Sequence, residues 1–203
     1  TFTITTDSGT RIITDPYGAE FAYNQIQDEA DIVTVSHDHF DHNGVDSVPG
    51  DPEVVSTEEG YQDQEITIKG ISSFHDDTGG SQRGNNIIYL MDIEGKKVCH
   101  LGDLGHSLTE NQKNELKTVD ILMIPVGGHF TIDGEEAYTV IEEINPEVVF
   151  PMHYKTEKID LPISGPDKFL ENFSSDEIKQ LDKSEVEIQK LPETRAVYIL
   201  DFV

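Results

Sequence analysis

One short segment constrains this chain more than any other: residues 37–42 read H-D-H-F-D-H, directly after the apolar run 32–35. In an extended or tightly turned segment, residues two apart share a side, so the first two histidines can converge on one ion while the last two residues reach a second. Imidazole and carboxylate ligands together favour zinc and its first-row neighbours. We therefore predict a metal site for hydrolytic chemistry. The alternative is an acidic, histidine-rich surface loop that binds metal adventitiously.

Three further strand-like runs end at or near a residue that can bind metal, namely His75, Asp103 and His153. Polar side chains at the ends of packed strands are held rigidly and can face a common cleft. A single histidine at a strand end is more often a hydrogen-bonded core or surface residue, so the prediction depends on the repetition. It indicates that these segments meet the 37–42 segment in one site.

Length and composition favour one compact unit. With 203 residues, 35% of them hydrophobic, the chain is long enough for one buried core and short for two, so we expect a single domain over residues 1–203. No run approaches the roughly 18 apolar residues of a membrane helix, which argues against a membrane partner. No basic and apolar leader opens the chain, and Cys99 is the only cysteine, so a reducing, cytoplasmic location is expected.

The charge balance is strongly acidic: 14 Lys and Arg against 40 Asp and Glu give a net charge of −26. A field of this sign repels phosphate backbones, which argues against a nucleic-acid partner. Two explanations of the acidity stay open. One is a high-salt cytoplasm in which counterions screen the self-repulsion, and the other is an acidic face in an organism without that habitat.

Strand patterns alternate with a few helical ones along the chain. Residues 7–10 have turn chemistry between two short strands, and capping boxes predict helices that begin after Thr109 and after Asp133. For residues 17–30 we expect a loop or a short helix. In the C-terminal part the pattern predicts two helices and then two strands, over 166–173, 176–183, 186–191 and 196–202.

The order of these motifs resembles the metallo-β-lactamase-fold superfamily of hydrolases. The matching segments read H-D-H-F-D-H (37–42), F-H-D-D-T-G-G (74–80), L-G-D (101–103) and P-M-H-Y (151–154). Residues 75–86 and 99–106 are similar to a compact branch that includes ascorbate-phosphate lactonases. The resemblance implies an α/β fold, the αββα sandwich, in which two mixed β-sheets face each other, helices cover the outside and the site lies along one edge. It also implies an earlier strand with a Gly-His pair upstream of Thr1.

The resemblance also implies a set of ligands and an activity. Carried over residue by residue, it assigns His37, His39 and His75 to a first metal, Asp41, His42 and His153 to a second, and Asp103 as a bridge between them. The implied cofactors are two divalent ions, Zn²⁺ first, although these ligands also accept Mn²⁺ and Fe²⁺. The implied activity is hydrolysis by a hydroxide held between the ions, with Asp41 as a hydrogen-bond acceptor. Two divalent ions would outweigh the charges of Asp41 and Asp103, so we expect the substrate to be a small, anionic ester, lactone or phosphoester.

Five other residues are candidates for supporting roles. The resemblance implies that Asp15 supports the ligands, and the alternative is an ordinary Asp-Pro turn. Arg83, in a glycine-rich loop, is the best candidate to bind a phosphate or carboxylate, unless it is a solvated surface arginine. We expect His100 in the core or behind the ligands. His106 and His129 either line the substrate cleft or are simply exposed.

The partner expected from these features is a small-molecule substrate. The main alternative function is a non-catalytic metal-binding regulator or scaffold of the same fold. A redox role is disfavoured because diiron members of the superfamily have Glu where this chain has His39. The oligomeric state stays open, with a homo-oligomer as one alternative.

The net charge of −26 generates a prediction about stability. If the acidity is an adaptation to high salt, screening by molar KCl should relieve repulsion among the surplus negative charges and raise the melting temperature relative to dilute buffer. Thermal melts across a KCl series measure this. A melting temperature that is flat or falls with salt would leave an acidic face without a high-salt role.

Overall fold

The computed structural model describes residues 1–21 and 23–201, and these residues form two mixed β-sheets with helices. The smaller sheet has four strands in chain order: β1 (Phe2–Thr5), β2 (Arg11–Thr14), β3 (Ile32–Thr34) and β4 (Glu53–Val55). β1 and β2 form the predicted antiparallel hairpin, whereas β2, β3 and β4 run parallel.

The larger sheet has eight strands: β5 (Tyr61–Gln62), β6 (Ile66–Phe74), β7 (Asn85–Ile93), β8 (Lys96–His100), β9 (Ile121–Pro125), β10 (Val148–Met152), β11 (Ile178–Gln180) and β12 (Ala196–Ile199). Their spatial order is β11-β12-β10-β9-β8-β7-β6-β5. The pairs from β5 to β8 are antiparallel, and those from β8 through β12 are parallel.

Three α-helices and one 3-10 turn complete the regular structure of residues 1–21 and 23–201: α1 (Glu110–Leu116), α2 (Gly134–Ile144), α3 (Asp167–Leu170) and the turn Val45–Ser47. Both predicted capping boxes are present, at Thr109 and at Asp133. Each saturates backbone N–H groups that the first helical turn leaves without an intrahelical acceptor. No helix in the described residues is long and apolar enough to cross a membrane.

The core lies in layers on both sides of the larger sheet, as the alternation along β9 shows. Ile121 and Met123 pack between the two sheets, while Leu122 and Ile124 pack on the other face with the apolar side of α2. A strand that is buried on both faces reads as a continuous apolar run. The outer face of the smaller sheet, with Val33, is covered by loop residues and the 3-10 turn. The predicted sandwich of two mixed sheets with helices is confirmed.

Strand direction brings the predicted ligand segments to one edge. β6 and β8 are both antiparallel to β7, so they run the same way, and β10 runs parallel to them through β9. The residues that follow these three strands therefore emerge at the same edge of the larger sheet. The Tyr89 hydroxyl, buried between the sheets, donates to the carbonyl oxygen of Val35 at 2.9 Å and so fixes the end of β3 beside them.

Two C-terminal predictions are wrong. Residues 176–183 were expected to be helical, but the segment contains β11, which pairs in parallel with β12. The strand packs Ile178 on the core and leaves Lys179 and Gln180 exposed. The predicted strand 186–191 pairs with no other strand in the described part of the chain. Its alternating apolar residues instead pack against the edge of the inter-sheet core. The predicted strand 196–202 is observed as β12, and Phe202 lies outside the described residues.

Candidate metal centre

Six side chains form two groups, and within each group the potential metal-binding atoms lie within 4.8 Å of one another. The first group is His37, His39 and His75, and the second is His42, Asp103 and His153. Asp41, a predicted ligand of the second ion, lies next to that group, since its Oδ2 is 3.7 Å from Nε2 of His42. The structure thus brings together all seven residues predicted as ligands.

The Asp103 carboxylate lies between the two groups. Its Oδ2 is 3.2 Å from Nε2 of His75 in the first group, and 3.4 Å and 3.3 Å from Nε2 of His42 and His153 in the second. Burial by itself would raise the pKa of Asp103. The positive charge of His153 and His42, with hydrogen bonds from the imidazoles, instead holds that pKa well below its usual range. Asp103 is therefore an anion at the place expected of a bridging ligand.

A buried amide and a glycine position Asp103. The side-chain oxygen of Asn86 accepts a hydrogen bond from the Asp103 backbone N–H at 2.9 Å, and the Asn86 amide donates to the Leu101 carbonyl at 2.9 Å. Gly102 has φ of +56°, and a Cβ there would lie 2.3 Å from the Asn86 oxygen. Only glycine fits this turn. Sequence reasoning missed the role of Asn86, which the sequence indicates only as the last residue of the matching segment 75–86.

Asp15 connects the two groups from behind. Its Oδ2 is 2.9 Å from Nδ1 of His42 and accepts a hydrogen bond from the Ser36 hydroxyl at 2.5 Å, and that hydroxyl is 2.9 Å from Nδ1 of His37. Because Ser36 gives its only hydrogen to Asp15, His37 must be the donor to Ser36. Both histidines then carry a proton on Nδ1, which leaves Nε2 as the atom that would bind a metal ion.

The protonation states fit a divalent cation. Burial, together with the charge of His42, lowers the pKa of His37 to about 3, so its imidazole is neutral. Its Nε2 is buried without a hydrogen-bond partner in the described part of the chain, and so is Oδ1 of Asp103. Buried polar atoms of this kind are costly unless a partner fills the space between them. A metal ion is such a partner, because it needs neutral imidazole and ionised carboxylate.

The carboxylates of Asp15, Asp41 and Asp103 create a negative electrostatic potential at the histidines of the second group. Burial by itself would lower the pKa of His42, but the charge of Asp103 and the hydrogen bond to Asp15 outweigh it and raise that pKa. The pKa of His153 is also raised, since the Asp103 charge opposes the effect of burial. Carboxylates that stabilise a cationic imidazole here would stabilise a metal cation at the same place.

Arg83 lies in the loop that follows the predicted ligand His75, and hydrogen bonds to one carboxylate organise this loop. Asp76, which is buried, accepts hydrogen bonds from the backbone N–H groups of four loop residues: Thr78, Gly80, Gln82 and Arg83. Burial opposes ionisation, but these bonds hold the pKa of Asp76 well below its usual range. The Arg83 guanidinium stacks over Phe130, with Cζ 5.1 Å from the ring centroid. Phe130 in turn lies 6.5 Å from the His153 ring. Sequence reasoning missed both Asp76 and Phe130.

The other three histidines are not in the ligand groups. His106 is tied to the end of β6, since its Nε2 accepts from the Phe74 N–H at 3.2 Å and its Nδ1 donates to the Ser107 carbonyl at 2.8 Å. His100 is buried, burial lowers its pKa to about 4, and its Nδ1 accepts from the Gly102 N–H at 3.3 Å. His129 is exposed, with φ of 62°.

Comparison with known proteins agrees with this geometry. The family model described as "Beta-lactamase superfamily domain" matches residues 1–153. A UPF0173 metal-dependent hydrolase of Thermoplasma acidophilum is 26% identical over 184 residues, which cover 78% of this chain and 81% of that protein. A solved structure from Thermotoga maritima, a candidate Zn-dependent hydrolase of the metallo-β-lactamase superfamily, is 35% identical with a TM-score of 0.81, and the match covers 98% of this chain and 93% of the other.

The same fold also occurs with distant sequences. Isothiocyanate hydrolase from Delia radicum gut bacteria has a TM-score of 0.65 at 13% identity, with 84% of this chain and 87% of that one covered. Identity this low shows the fold alone. The family match and the Thermotoga structure show more: this chain belongs to the metallo-β-lactamase superfamily. Its relatives named metal-dependent hydrolases confirm the enzyme class that the sequence predicted, while the resemblance to ascorbate-phosphate lactonases stays a prediction.

The position of Asp15 generates a prediction about metal affinity. Asp15→Asn should weaken metal binding by about 10- to 100-fold, because the amide has no charge and only one acceptor oxygen. It cannot accept from the Ser36 backbone N–H, which bonds Oδ1, and also from the Ser36 hydroxyl and His42, which bond Oδ2. Asparagine tolerates the φ of 43° observed at Asp15, so the backbone should be kept. Competition with a chromogenic chelator measures the affinity.

Asp38→Asn is the matched control. Asp38 is exposed in residues 37–42, which we call the ligand loop, and belongs to neither group. Within the described residues, its carboxylate accepts a hydrogen bond from the Asn43 amide alone. The same loss of affinity in both variants, or none in Asp15→Asn, would contradict the role assigned to Asp15.

Proposed function

We propose that this protein is a dinuclear metal-dependent hydrolase acting on a small substrate that carries a negative charge, such as an ester, a lactone or a phosphoester. The observation that carries the proposal is the position of Asp103, whose Oδ2 lies within hydrogen-bonding distance of His75 from one ligand group, at 3.2 Å, and of His153 from the other, at 3.3 Å. A carboxylate shared in this way suits two ions a few ångströms apart.

The predicted ligands would hold two metal ions. His37, His39 and His75 would hold one, Asp41, His42 and His153 the other, and Asp103 both. Divalent ions held there would supply a Lewis acid for the electrophilic oxygen and would activate a water for attack. Asp41, whose side chain is 19% exposed and lies 3.7 Å from Nε2 of His42, would accept a hydrogen bond from the nucleophile. His39 is exposed, so the first group is open to a substrate.

Charge inside the cleft favours an anion. Three carboxylates lie at the groups, Asp15, Asp41 and Asp103, and two divalent ions would outweigh them by one positive charge. Arg83 adds to this. Arg11 and Arg195 pair with Asp28 and Glu142, whereas the Arg83 guanidinium has no hydrogen bond or ion pair within the described residues. In so acidic a chain, an arginine without an ion pair, in contact with Phe130 near His153, is available to a substrate anion.

The bridging position of Asp103 generates a prediction about metal content and rate. Asp103→Asn should lower the bound metal from about two ions per chain towards one and reduce kcat/KM by about 100-fold or more, because the amide oxygen cannot neutralise two cations. Elemental analysis and rates measured on the same preparation test this.

Asp92→Asn is the control for Asp103, since Asp92 lies in β7 and pairs with Lys97. Equal effects in the two variants would show that the bridge is misplaced. Two bound ions without turnover on any ester, lactone or phosphoester would favour the metal-binding regulator or scaffold instead.

The unpaired Arg83 generates a prediction about specificity. Arg83→Ala should lower kcat/KM by about tenfold for phosphorylated lactones and esters and by much less for neutral ones. The variant loses the guanidinium, whose paired hydrogen bonds and charge favour an anionic group. Arg195→Ala is the control, since Arg195 pairs with Glu142 and does not line the cavity at the ligand groups. Unchanged specificity in Arg83→Ala would refute the anion recognition and leave the hydrolase assignment intact.

A further inference from the structure

The most exposed large apolar side chain in the described residues lies inside the ligand loop. The Phe40 side chain stands between the ligand residues His39 and Asp41, and the residue is 76% exposed, while the only comparable residue, Val54 on the edge strand β4, is 43% exposed. A phenyl ring left in water at a rigid position is available for binding, since covering it removes apolar area from water.

Phe40 belongs to a cluster of four aromatic rings, which we call the aromatic patch: Tyr17, Phe21, Tyr23 and Phe40. Phe21 is central, with ring centroids 6.1 Å from Phe40, 5.8 Å from Tyr17 and 5.6 Å from Tyr23. The other three members of the patch are partly exposed. The chain is only 8% aromatic, so four such rings next to one loop form a distinct surface.

Backbone hydrogen bonds and close packing connect the aromatic patch to the ligand loop. The Gly18 N–H donates to the Phe40 carbonyl at 3.4 Å, and the Gly44 N–H donates to the Pro16 carbonyl at 2.7 Å. Gly44 packs so closely that a Cβ there would lie 2.4 Å from the Tyr17 backbone. The backbone that carries the patch is therefore held at the ligand loop, and the patch presents a fixed apolar surface next to the metal-binding atoms.

Three of the four rings of the aromatic patch border one cavity of about 1910 Å³ together with the second ligand group, and Phe40 adjoins that wall through its contact with Phe21. Its walls include Tyr17, Phe21 and Tyr23 together with Asp41 and His153. At the far end, the Tyr23 hydroxyl lies 2.9 Å from the Thr156 hydroxyl, in the segment that follows His153. A ligand with its polar end at the ligand groups therefore has the patch within reach of its other end.

We propose that the aromatic patch is a subsite for the hydrocarbon part of the substrate, so that the protein prefers an acyl or aryl group of several carbons next to the bond it cleaves. The inference rests on the proposed function for the chemistry at the ligand groups. A macromolecule bound over Phe40 would also cover the exposed His39 and close the first group. Binding of a second copy would in addition bring together two chains that each carry a net charge of −26 and repel each other. A substrate is the occupant that uses the patch and leaves the site working.

The test measures binding of straight-chain carboxylates, from acetate to octanoate, to the zinc-loaded protein by calorimetry. The carboxylate can bind at the ligand groups while the chain covers the patch. Affinity should rise about twofold per added CH₂, since one side of a chain on an open surface stays in water, and by more than tenfold between acetate and octanoate. Phe40→Ala should lower the acetate-to-octanoate ratio at least threefold, and Phe40→Leu should restore part of it.

Val54→Ala removes the other exposed apolar side chain and should keep the wild-type ratio. A ratio near one in the wild type, or a ratio unchanged by Phe40→Ala, would overturn the inference. So would sedimentation analysis in which Phe40→Ala converts a dimer to a monomer, because the patch would then be covered by a second copy.

Hydrolysis of acetyl to octanoyl esters by the same proteins separates this inference from the proposed function. Binding that strengthens with chain length, without cleavage of any ester, lactone or phosphoester, would refute the hydrolytic function and keep the subsite. Cleavage without any dependence on chain length, in either binding or kcat/KM, would keep the hydrolase and refute the subsite.

Discussion

A carboxylate that must stay charged inside the protein is the constraint on which the rest of this site depends. Asp103 is 3% exposed, and an ion buried this far from water is stable only if opposite charge and hydrogen bonds surround it. Imidazoles from three chain segments meet its Oδ2, at His75, His42 and His153. Two metal ions would supply more of the opposite charge that the buried Asp103 carboxylate needs. The carboxylate and the two groups around it would therefore stabilise metal binding together.

Preorganisation explains the layer behind the ligands. Asp15 holds His42 directly and His37 through Ser36, so one carboxylate sets the tautomers of ligands in both groups. Asp15 and His153 also have positive φ, 43° and 50°, a conformation that side chains other than glycine adopt at a cost. Such strain persists where surrounding hydrogen bonds over-determine the backbone. Here it turns the carboxylate and the imidazole towards the ligand groups.

The cleft differs in character from the rest of the surface. The protein carries a net charge of −26, yet within the described residues the Arg83 guanidinium has no ion pair and the ligand loop carries an exposed phenylalanine. Solubility requires neither feature. A strongly acidic exterior repels polyanions, whereas the two local features favour a small molecule with a negative group and a hydrocarbon part. Selectivity would then come from the contrast between the cleft and its surroundings.

How much the sequence determined by itself depends on the range of the interaction. The capping boxes at Thr109 and Asp133 and the buried strand β9 follow from local patterns, so these were predicted correctly. Side-chain chemistry and the order of the motifs pointed to the seven residues predicted as ligands, and their role in binding metal stays a prediction. Only the tertiary structure decided that β11 pairs with β12, that Asn86 holds Asp103 and that Phe130 stacks under Arg83. Pairing partners and contacts between distant segments depend on strand direction and register, which bring together residues far apart in the chain, and a local pattern does not record them.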